Sequence, residues 1–212
     1  MTLDKKQIER RHIYHVIKRL SDIILSGCGL ILLSPLFLTV AVAIKLDDRT
    51  GSVFYQQERV GHNGKKFMMY KFRSMCVDAE KKLKELQKYN EVKGAMFKMK
   101  HDPRVTKVGR FIRRYSIDEL PQLFNVLVGD MSLVGPRPPL PREVKKYTNY
   151  DKQRLYVVPG CTGLWQVSGR NDVGFHEMVA LDLKYIKNSG LLYDLDIMLK
   201  TVKIMVFPNG AY

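Results

Sequence analysis

Residues 23 to 44, IILSGCGLILLSPLFLTVAVAI, run without a single charge. Roughly 20 apolar residues are enough to cross the hydrocarbon core of a bilayer. No polar face interrupts the run, as one would in a core helix of a water-soluble domain. It is too long for the apolar part of a cleavable signal, and no small-residue cleavage site follows it. Ser34-Pro35 falls at its midpoint, where proline removes a backbone hydrogen bond and clashes with the preceding turn. Both flanks are basic, with Lys5, Lys6, Arg10, Arg11, Lys18 and Arg19 before the run and Lys45, Arg49, Arg59, Lys65 and Lys66 after it. A spanning helix concentrates its basic residues on one side. The symmetry therefore predicts a helix–break–helix that enters the membrane and returns to the same face, broken at Ser34 and Pro35. A proline-kinked single span is the competing reading.

The periodicity then changes. Residues 52 to 57 and 66 to 72 are rich in aromatic and β-type side chains, and Asn63-Gly64 supplies turn chemistry between them, which predicts a β-hairpin. Its end delivers Lys71 and Arg73. DAEKKLKELQKYNEVK, residues 78 to 93, is helical in composition and mostly charged, with Leu83 and Leu86 as a thin apolar stripe, so a solvated helix is expected. PQLFNVLVGD reads as a short helix with Pro121 at its first position and Gly129 just past its end. SLVGPRPPLP is a stiff proline-rich turn, and VVPGCTGLWQVSGRND a second turn-rich stretch holding the sole tryptophan, Trp165. Two helical patterns split at Asn188-Ser189-Gly190 close the chain. The latter carries an apolar stripe of Leu192, Leu195, Leu199, Val202 and Val206, with Lys200 and Lys203 off it, and suits core packing, a membrane interface or a second copy of the chain.

The fold class is thus α+β, mainly helical with a small β-hairpin, in a monotopic membrane protein with interfacial amphipathic helices. Residues 1–50 form a basic lead and the re-entrant membrane helix, and residues 51–212 a catalytic domain on the cytosolic face. At 212 residues, the chain is long enough for one domain with a substantial core. Its net charge of +15 asks for an anionic partner, whether a phosphate-bearing substrate, acidic lipid or nucleic acid. Zinc spacing, RNP-type aromatics and a dedicated basic helix are missing from the sequence, which sets nucleic acid aside. Cys28, Cys76 and Cys161 form no CxxC pair and read as reduced thiols. His12, His15, His62, His101 and His176 have no metal-ligand spacing.

Two adjacent acids, Asp118 and Glu119, stand in RRYSIDELPQ. The plain reading is a capping box, with Ser116 as N-cap and Glu119 three residues on. Pro121 weakens it, because in that register the missing N–H would already be needed. If Pro121 instead opens the helix, the two acids sit in the turn ahead, near unpaired N–H groups and the positive end of the helix dipole. Neighbouring residues on a turn point in different directions. One carboxylate can then face a phosphorus centre, since carboxylates serve as nucleophiles in phosphoryl transfer, and the other a cation such as Mg²⁺. Arg113, Arg114 and Arg137 offer planar donors for phosphate oxygens, the last of them in the stiff GPRPP loop.

YKFRSM, DPRVTKVGRFIRRYSIDELPQLFNVLVGDMSLVGPRP and PGCTGLWQVSGRN, in this order behind a Ser-Pro-broken apolar run, resemble the bacterial sugar transferase family, the monotopic phosphoglycosyl transferases. The resemblance covers nearly all of the chain from the apolar run onward. It implies transfer of a sugar phosphate from a UDP-sugar to undecaprenyl phosphate, with release of UMP, by a ping-pong reaction that needs Mg²⁺ and starts glycan assembly at the cytosolic face of the bacterial inner membrane. By motif, Asp118 is the nucleophile and Glu119 the Mg²⁺ ligand. Arg137 belongs to the Pro-Arg-Pro element expected to hold phosphate. Lys71 and Arg73 match its KFR element, Arg113 the arginine upstream of the acids, and Arg170 its GRN. Some relatives carry an aromatic directly after the second glycine of PGxTG, where this chain has Leu164 before Trp165. Larger relatives carry membrane helices and a domain ahead of this region, so a chain opening with a short basic lead reads as a minimal or a cut-down member. The rival class is a basic, membrane-anchored adaptor that binds acidic lipid through charge and has no use for a catalytic pair.

Overall fold

The computed structural model describes residues 2–89, 99, 102–168 and 174–207. A short helix α1 (Lys5–Glu9), capped by the Asp4 carboxylate, leads into α2 (His12–Leu32) and α3 (Ser34–Asp47). Between the last two, Leu33 leaves helical geometry, at φ −89° and ψ 1°, and their axes bend by 58°. Pro35 stands in the first turn of α3, where its absent N–H is not wanted. Ser34 Oγ donates to Ile31 O at 2.8 Å across the break. The interruption expected at Ser34-Pro35 is therefore present, with its hinge one residue earlier. No single helix among the described residues is long and apolar enough to cross a bilayer, whereas this bent pair qualifies together by length and composition.

The polarity of α2 is inverted. Its buried residues are Asp22 and Ser26, while Ile13, Val16, Leu20, Ile24, Ile31 and Leu32 are exposed. An apolar face of this extent marks a contact surface. In α3 only one side follows suit: Leu38, Val42 and Leu46 point outward, and Val40 and Ile44 pack on Phe72 and Ile112 of the body. Burying each of these two aliphatic side chains contributes roughly 1.5–3 kcal/mol. Phe37 meets Phe72 edge-on, ring centres 5.2 Å apart.

The hairpin forms from β1 (Phe54–Val60) and β2 (Lys66–Phe72), antiparallel from Phe54↔Phe72 to Val60↔Lys66. Asn63 and Gly64 take positive φ in its turn (52° and 81°), which asparagine tolerates and glycine, lacking a Cβ, adopts freely. The first strand runs three residues beyond the expected end because its charged tail finds partners. Glu58 pairs with Lys66 at 3.0 Å, and Arg59 turns inward. Helix α4 (Ala79–Leu86) begins the charged helix expected over 78–93, whose residues 90–93 lie outside the described residues. Helix α5 (Lys107–Arg114) is capped by Thr106, whose Oγ1 accepts from Gly109 N at 2.9 Å, and α6 (Gln122–Val128) follows the acidic pair.

A two-stranded parallel ladder was not expected. Strand β3 (Ser132–Val134) pairs with β4 (Gly160–Thr162) through Ser132↔Gly160 and Val134↔Thr162. Each strand is too short for its alternation to show against the flanking prolines. The backbones approach so closely that a methyl group on Gly160 would overlap Gly135 N. Between the strands lie the short helices α7 (Pro141–Val144) and α8 (Asn149–Lys152); α9 (Leu164–Val167), α10 (Phe175–Asn188) and α11 (Leu191–Val206) complete the chain. Val134, Leu164, Val179, Leu183, Ile186 and Ile197 make the largest core cluster.

The stripe on α11 faces outward, Leu192 being 84% exposed and Leu199 63%, while Asp194 is buried. Asp194 gathers Lys18 Nζ at 2.8 Å and the hydroxyls of Tyr14 and Tyr185 at 2.9 and 2.7 Å. Polar groups thus join α2 to α11 while the apolar faces of both point away from the body. Cys28, Cys76 and Cys161 are all free thiols.

Candidate active site

Asp118 and Glu119 lie in a single 3-10 turn, Ile117–Glu119, between α5 and α6. The turn is entered through Ser116 at φ 55°, ψ 21°, a left-handed conformation that few residues other than glycine adopt. Ser116 makes no capping hydrogen bond through its side chain, so the capping box does not form. Pro121 is the N-cap of α6 (φ −60°), one position earlier than expected, and Gly129 ends the helix at φ 97°. Strained backbone beside two acids is a common mark of a working site.

The two carboxylates have different surroundings. Asp118 is buried, and Glu119 is close to half exposed at the side chain. Burial pushes the Asp118 carboxyl up from 3.8 to about 6; Lys71 pulls it down, Glu119 pushes it up and Arg113 pulls it down in turn. Lys71 Nζ sits 2.6 Å from Glu119 Oε1. The buried acid thus has the shielding of a nucleophile, and the exposed one the access of a cation ligand.

Three contacts hold these groups in register. On α6, Asn125 is wholly buried and reaches the open edge of β2. Its Oδ1 accepts from Tyr70 N at 2.9 Å and its Nδ2 donates to Met68 O at 2.7 Å. A side-chain amide thereby stands in for a third strand, beside Lys71 and just after the acidic turn. From α2, Arg19 donates to Val126 O and Leu127 O (2.6 and 2.9 Å), carbonyls in the last turn of α6. One helical turn further along α2, Asp22 accepts from Leu133 N at 3.0 Å, at the start of β3.

Arg137 stands in the proline-rich loop after β3. Its guanidinium lies over the Trp165 ring, 5.9 Å from the centre, with Glu143 at 3.9 Å. Leu164 goes into the core, which leaves Trp165 to face Arg137. The indole Nε1 of Trp165 is buried and has no hydrogen-bond partner among the described residues. Arg59, read at first as flanking charge, is buried beside this loop. Burial and then Arg137 push its guanidinium down to about 9, while Glu143 and Glu119 act in the opposite sense. One buried cation thus feels both the loop and the acidic turn.

Of the arginines assigned by motif, Arg113 on α5 acts electrostatically on Asp118. Arg73 does not join the acids: it donates to the Asp48 carboxylate and carbonyl at 3.2 and 2.7 Å, where α3 ends. Arg114 rests against Tyr115. Arg170 lies outside the described residues. Asn125, Arg19, Asp22 and Arg59 escaped the sequence reading. The signal for the first is an asparagine in the otherwise apolar QLFNVLV.

Among the described residues no three His, Cys, Asp or Glu side chains gather into a metal cage. Two adjacent carboxylates, one of them accessible, fit a hard cation that takes its other ligands from phosphate and water. Burial raises the Cys161 thiol, which leaves it inert beside the site.

A family model described as bacterial sugar transferase matches residues 13–208. The undecaprenyl-phosphate galactose phosphotransferase of Salmonella typhimurium is 48% identical over 200 residues, 92% of this chain and 42% of that protein. The galactosyl transferase CpsE of Streptococcus agalactiae is 47% identical over 197 residues, again 92% of this chain and 43% of the relative. The exopolysaccharide production protein ExoY of Sinorhizobium fredii is 44% identical over 206 residues, 95% of this chain and 91% of the relative. The chain spans less than half the length of the first two relatives and nearly all of the third.

Proposed function

The chain belongs to the bacterial sugar transferase family, and we propose that it transfers a sugar phosphate from a UDP-sugar to undecaprenyl phosphate, releasing UMP. The observation that carries this reading is the contrast between the two acids, Asp118 buried near Lys71 and Arg113, and Glu119 exposed beside it. An Asp118 carboxylate oxygen attacks the phosphorus bearing the sugar. Its bond to the bridging oxygen of the diphosphate breaks, and UMP leaves with that electron pair. A phosphate oxygen of undecaprenyl phosphate then attacks the same phosphorus. The acyl phosphate bond breaks, and the carboxylate is restored as a lipid-linked diphosphate sugar departs.

Each side chain has a physical task in this scheme. Burial keeps water from the aspartyl phosphosugar. Lys71 and Arg113 favour the ionised nucleophile and offset phosphate charge. Arg137 holds a phosphate against Trp165. Mg²⁺, held by Glu119 with the diphosphate oxygens, would neutralise charge that otherwise repels the carboxylate. The bent α2–α3 pair enters the cytosolic leaflet of the bacterial inner membrane and returns. Its Arg19 and Asp22 contacts then hold the acidic turn near the depth of a lipid phosphate. A purely lipid-binding adaptor leaves the costly burial of Asp118 without a use.

The test is UMP release from UDP-galactose, UDP-glucose and UDP-N-acetylgalactosamine, with Mg²⁺ and undecaprenyl phosphate, for wild type and Asp118→Asn. Acceptor-dependent release from one donor, lost in the variant, is expected. Release that survives Asp118→Asn, or that water supports as well as the lipid, would sink the scheme.

A further inference from the structure

The loop after β3, residues 135–140, reads Gly-Pro-Arg-Pro-Pro-Leu. Positions 136, 138 and 139 have no N–H, so carbonyl groups are what the rest of the molecule can grip there. Four consecutive carbonyls are gripped, each by a different residue. Pro136 O accepts from Gly160 N at 2.9 Å and Pro139 O from Val60 N at 2.9 Å. The middle two accept from guanidinium groups, Arg137 O from Arg154 Nη2 at 3.1 Å and Pro138 O from Arg59 Nη1 at 2.9 Å.

Both arginines are almost fully buried, Arg59 at 5% exposure and Arg154 at 2%. Burying a guanidinium carries a desolvation cost of several kcal/mol unless it is well paired. Arg154 is satisfied by Asp182, at 2.8 Å from Nε and 2.6 Å from Nη2, the nitrogen that also donates to Arg137 O, and by the Tyr147 hydroxyl at 2.7 Å from Nη1. Arg59 also reaches Gln57 Oε1 at 2.6 Å, while its Nε has no hydrogen-bond partner among the described residues. Their shared feature is a guanidinium fork that donates to one of two successive carbonyls, those of Arg137 and Pro138.

We propose that Arg59 and Arg154 are positioning residues: they clamp the carbonyls of Arg137 and Pro138, one before and one after the Pro138 ring, and fix where the Arg137 guanidinium stands over Trp165. The inference rests on the reading of Arg137 as the residue that holds substrate phosphate. A loop rigid in φ at three prolines still rotates as a body about its ends. The two forks stop that rotation, and only a planar, two-pronged donor serves both its anchor and the carbonyl. Lysine keeps the charge and loses the fork.

The test is a double-mutant cycle on kcat/KM for UMP release, with the fastest of the three UDP-sugars above. Arg59→Lys and Arg154→Lys are each made with Arg137 intact and with Arg137→Ala, and a thermal melt accompanies every variant. With Arg137 present, each lysine substitution is expected to lower kcat/KM by about tenfold, mainly through KM; with Arg137→Ala the same substitution lowers it less than about twofold. An effect of full size in both backgrounds overturns the proposal, because residues acting through the fold alone do not need Arg137. If Arg137→Ala itself leaves kcat/KM unchanged, the phosphate-holding reading fails, and positioning through it fails with it. Arg59 and Arg154 reach the loop from different elements, so one variant that folds poorly leaves the other to decide.

Discussion

Replacing Asp118 by Asn removes a charge and leaves the size of the side chain unchanged, so its effect on stability isolates the cost of ionisation. In the fold the carboxyl is raised from 3.8 to about 6, chiefly by burial. For an acid raised on folding, the stabilising contribution is complete below the unfolded value and is lost as pH climbs through the folded one. At ~1.4 kcal/mol per unit, the ionised form costs the fold up to ~3 kcal/mol at pH 8. Asparagine carries no such cost. For a chain of this length the variant should melt ~6–12 °C above wild type at pH 8. That gap should shrink by about two-thirds at pH 4.5, as the folded carboxyl protonates while the unfolded one is still mostly ionised. Thermal unfolding of the detergent-purified protein between pH 4.5 and 8 reads the gap, with exposed Asp196→Asn as the control. A variant more stable and yet inactive would be a direct sign of stability given up for chemistry. A gap that stays constant with pH, or widens towards acid, would refute the claim that Asp118 is held desolvated.

The same carboxyl should set the pH dependence of turnover. UMP release per enzyme at low substrate is expected to rise about tenfold per unit below pH 6 and to level above it, and Lys71→Met, which removes the strongest pull towards ionisation, should move the rise to higher pH. Ser116→Val forces a β-branched residue to φ 55° and should cost the fold about 1–3 kcal/mol, whereas Ser116→Gly should stay within about 1 kcal/mol of wild type in the same melts. Arg19→Met leaves two helix-end carbonyls without their guanidinium and should destabilise by about 1–3 kcal/mol, with activity falling further than the melt accounts for. Single cysteines at Lys6 and Arg49, in a background without Cys28, Cys76 and Cys161, should both escape an impermeant maleimide in intact spheroplasts and both react after lysis; labelling of either one from outside would establish a single span in place of re-entry.

Local chemistry was legible wherever a few neighbouring residues decide the outcome. The broken apolar run, the Asn63-Gly64 turn, the helix ended by Gly129 and the split at Ser189-Gly190 all rest on such short signals. The acidic pair could be singled out because Pro121 conflicts with the capping box, and the left-handed Ser116 is the physical form of that conflict. What escaped depends on partners far apart in sequence. Strands β3 and β4 meet although residues 135–159 lie between them, through glycines that read as turn residues. Arg59 looked like flanking charge because nothing local announces that Pro138 O is waiting for it. Arg73 follows the motif in sequence and still turns to Asp48, whose carboxylate and carbonyl at the end of α3 both accept from it.

The inverted polarity of α2 ties these observations to one another. A helix that buries Asp22 and exposes leucines gains nothing by folding in water, where the opposite arrangement is favoured by about 25 cal/mol per Å² of apolar surface. In lipid the balance reverses: exposed apolar side chains cost nothing, and polar groups are driven inward to find partners. The inward partners here are not arbitrary. Arg19 ends the helix that begins at the acidic turn, Asp22 opens the strand that leads to the Arg137 loop, and Lys18 joins Asp194 on α11. If α2 lies in lipid as proposed, the same medium would also drive the contacts that set Asp118 and the Arg137 loop at one depth. Under the proposed reaction, a lipid phosphate confined to the headgroup layer and a carboxylate fixed from the same helix meet without either leaving its own phase.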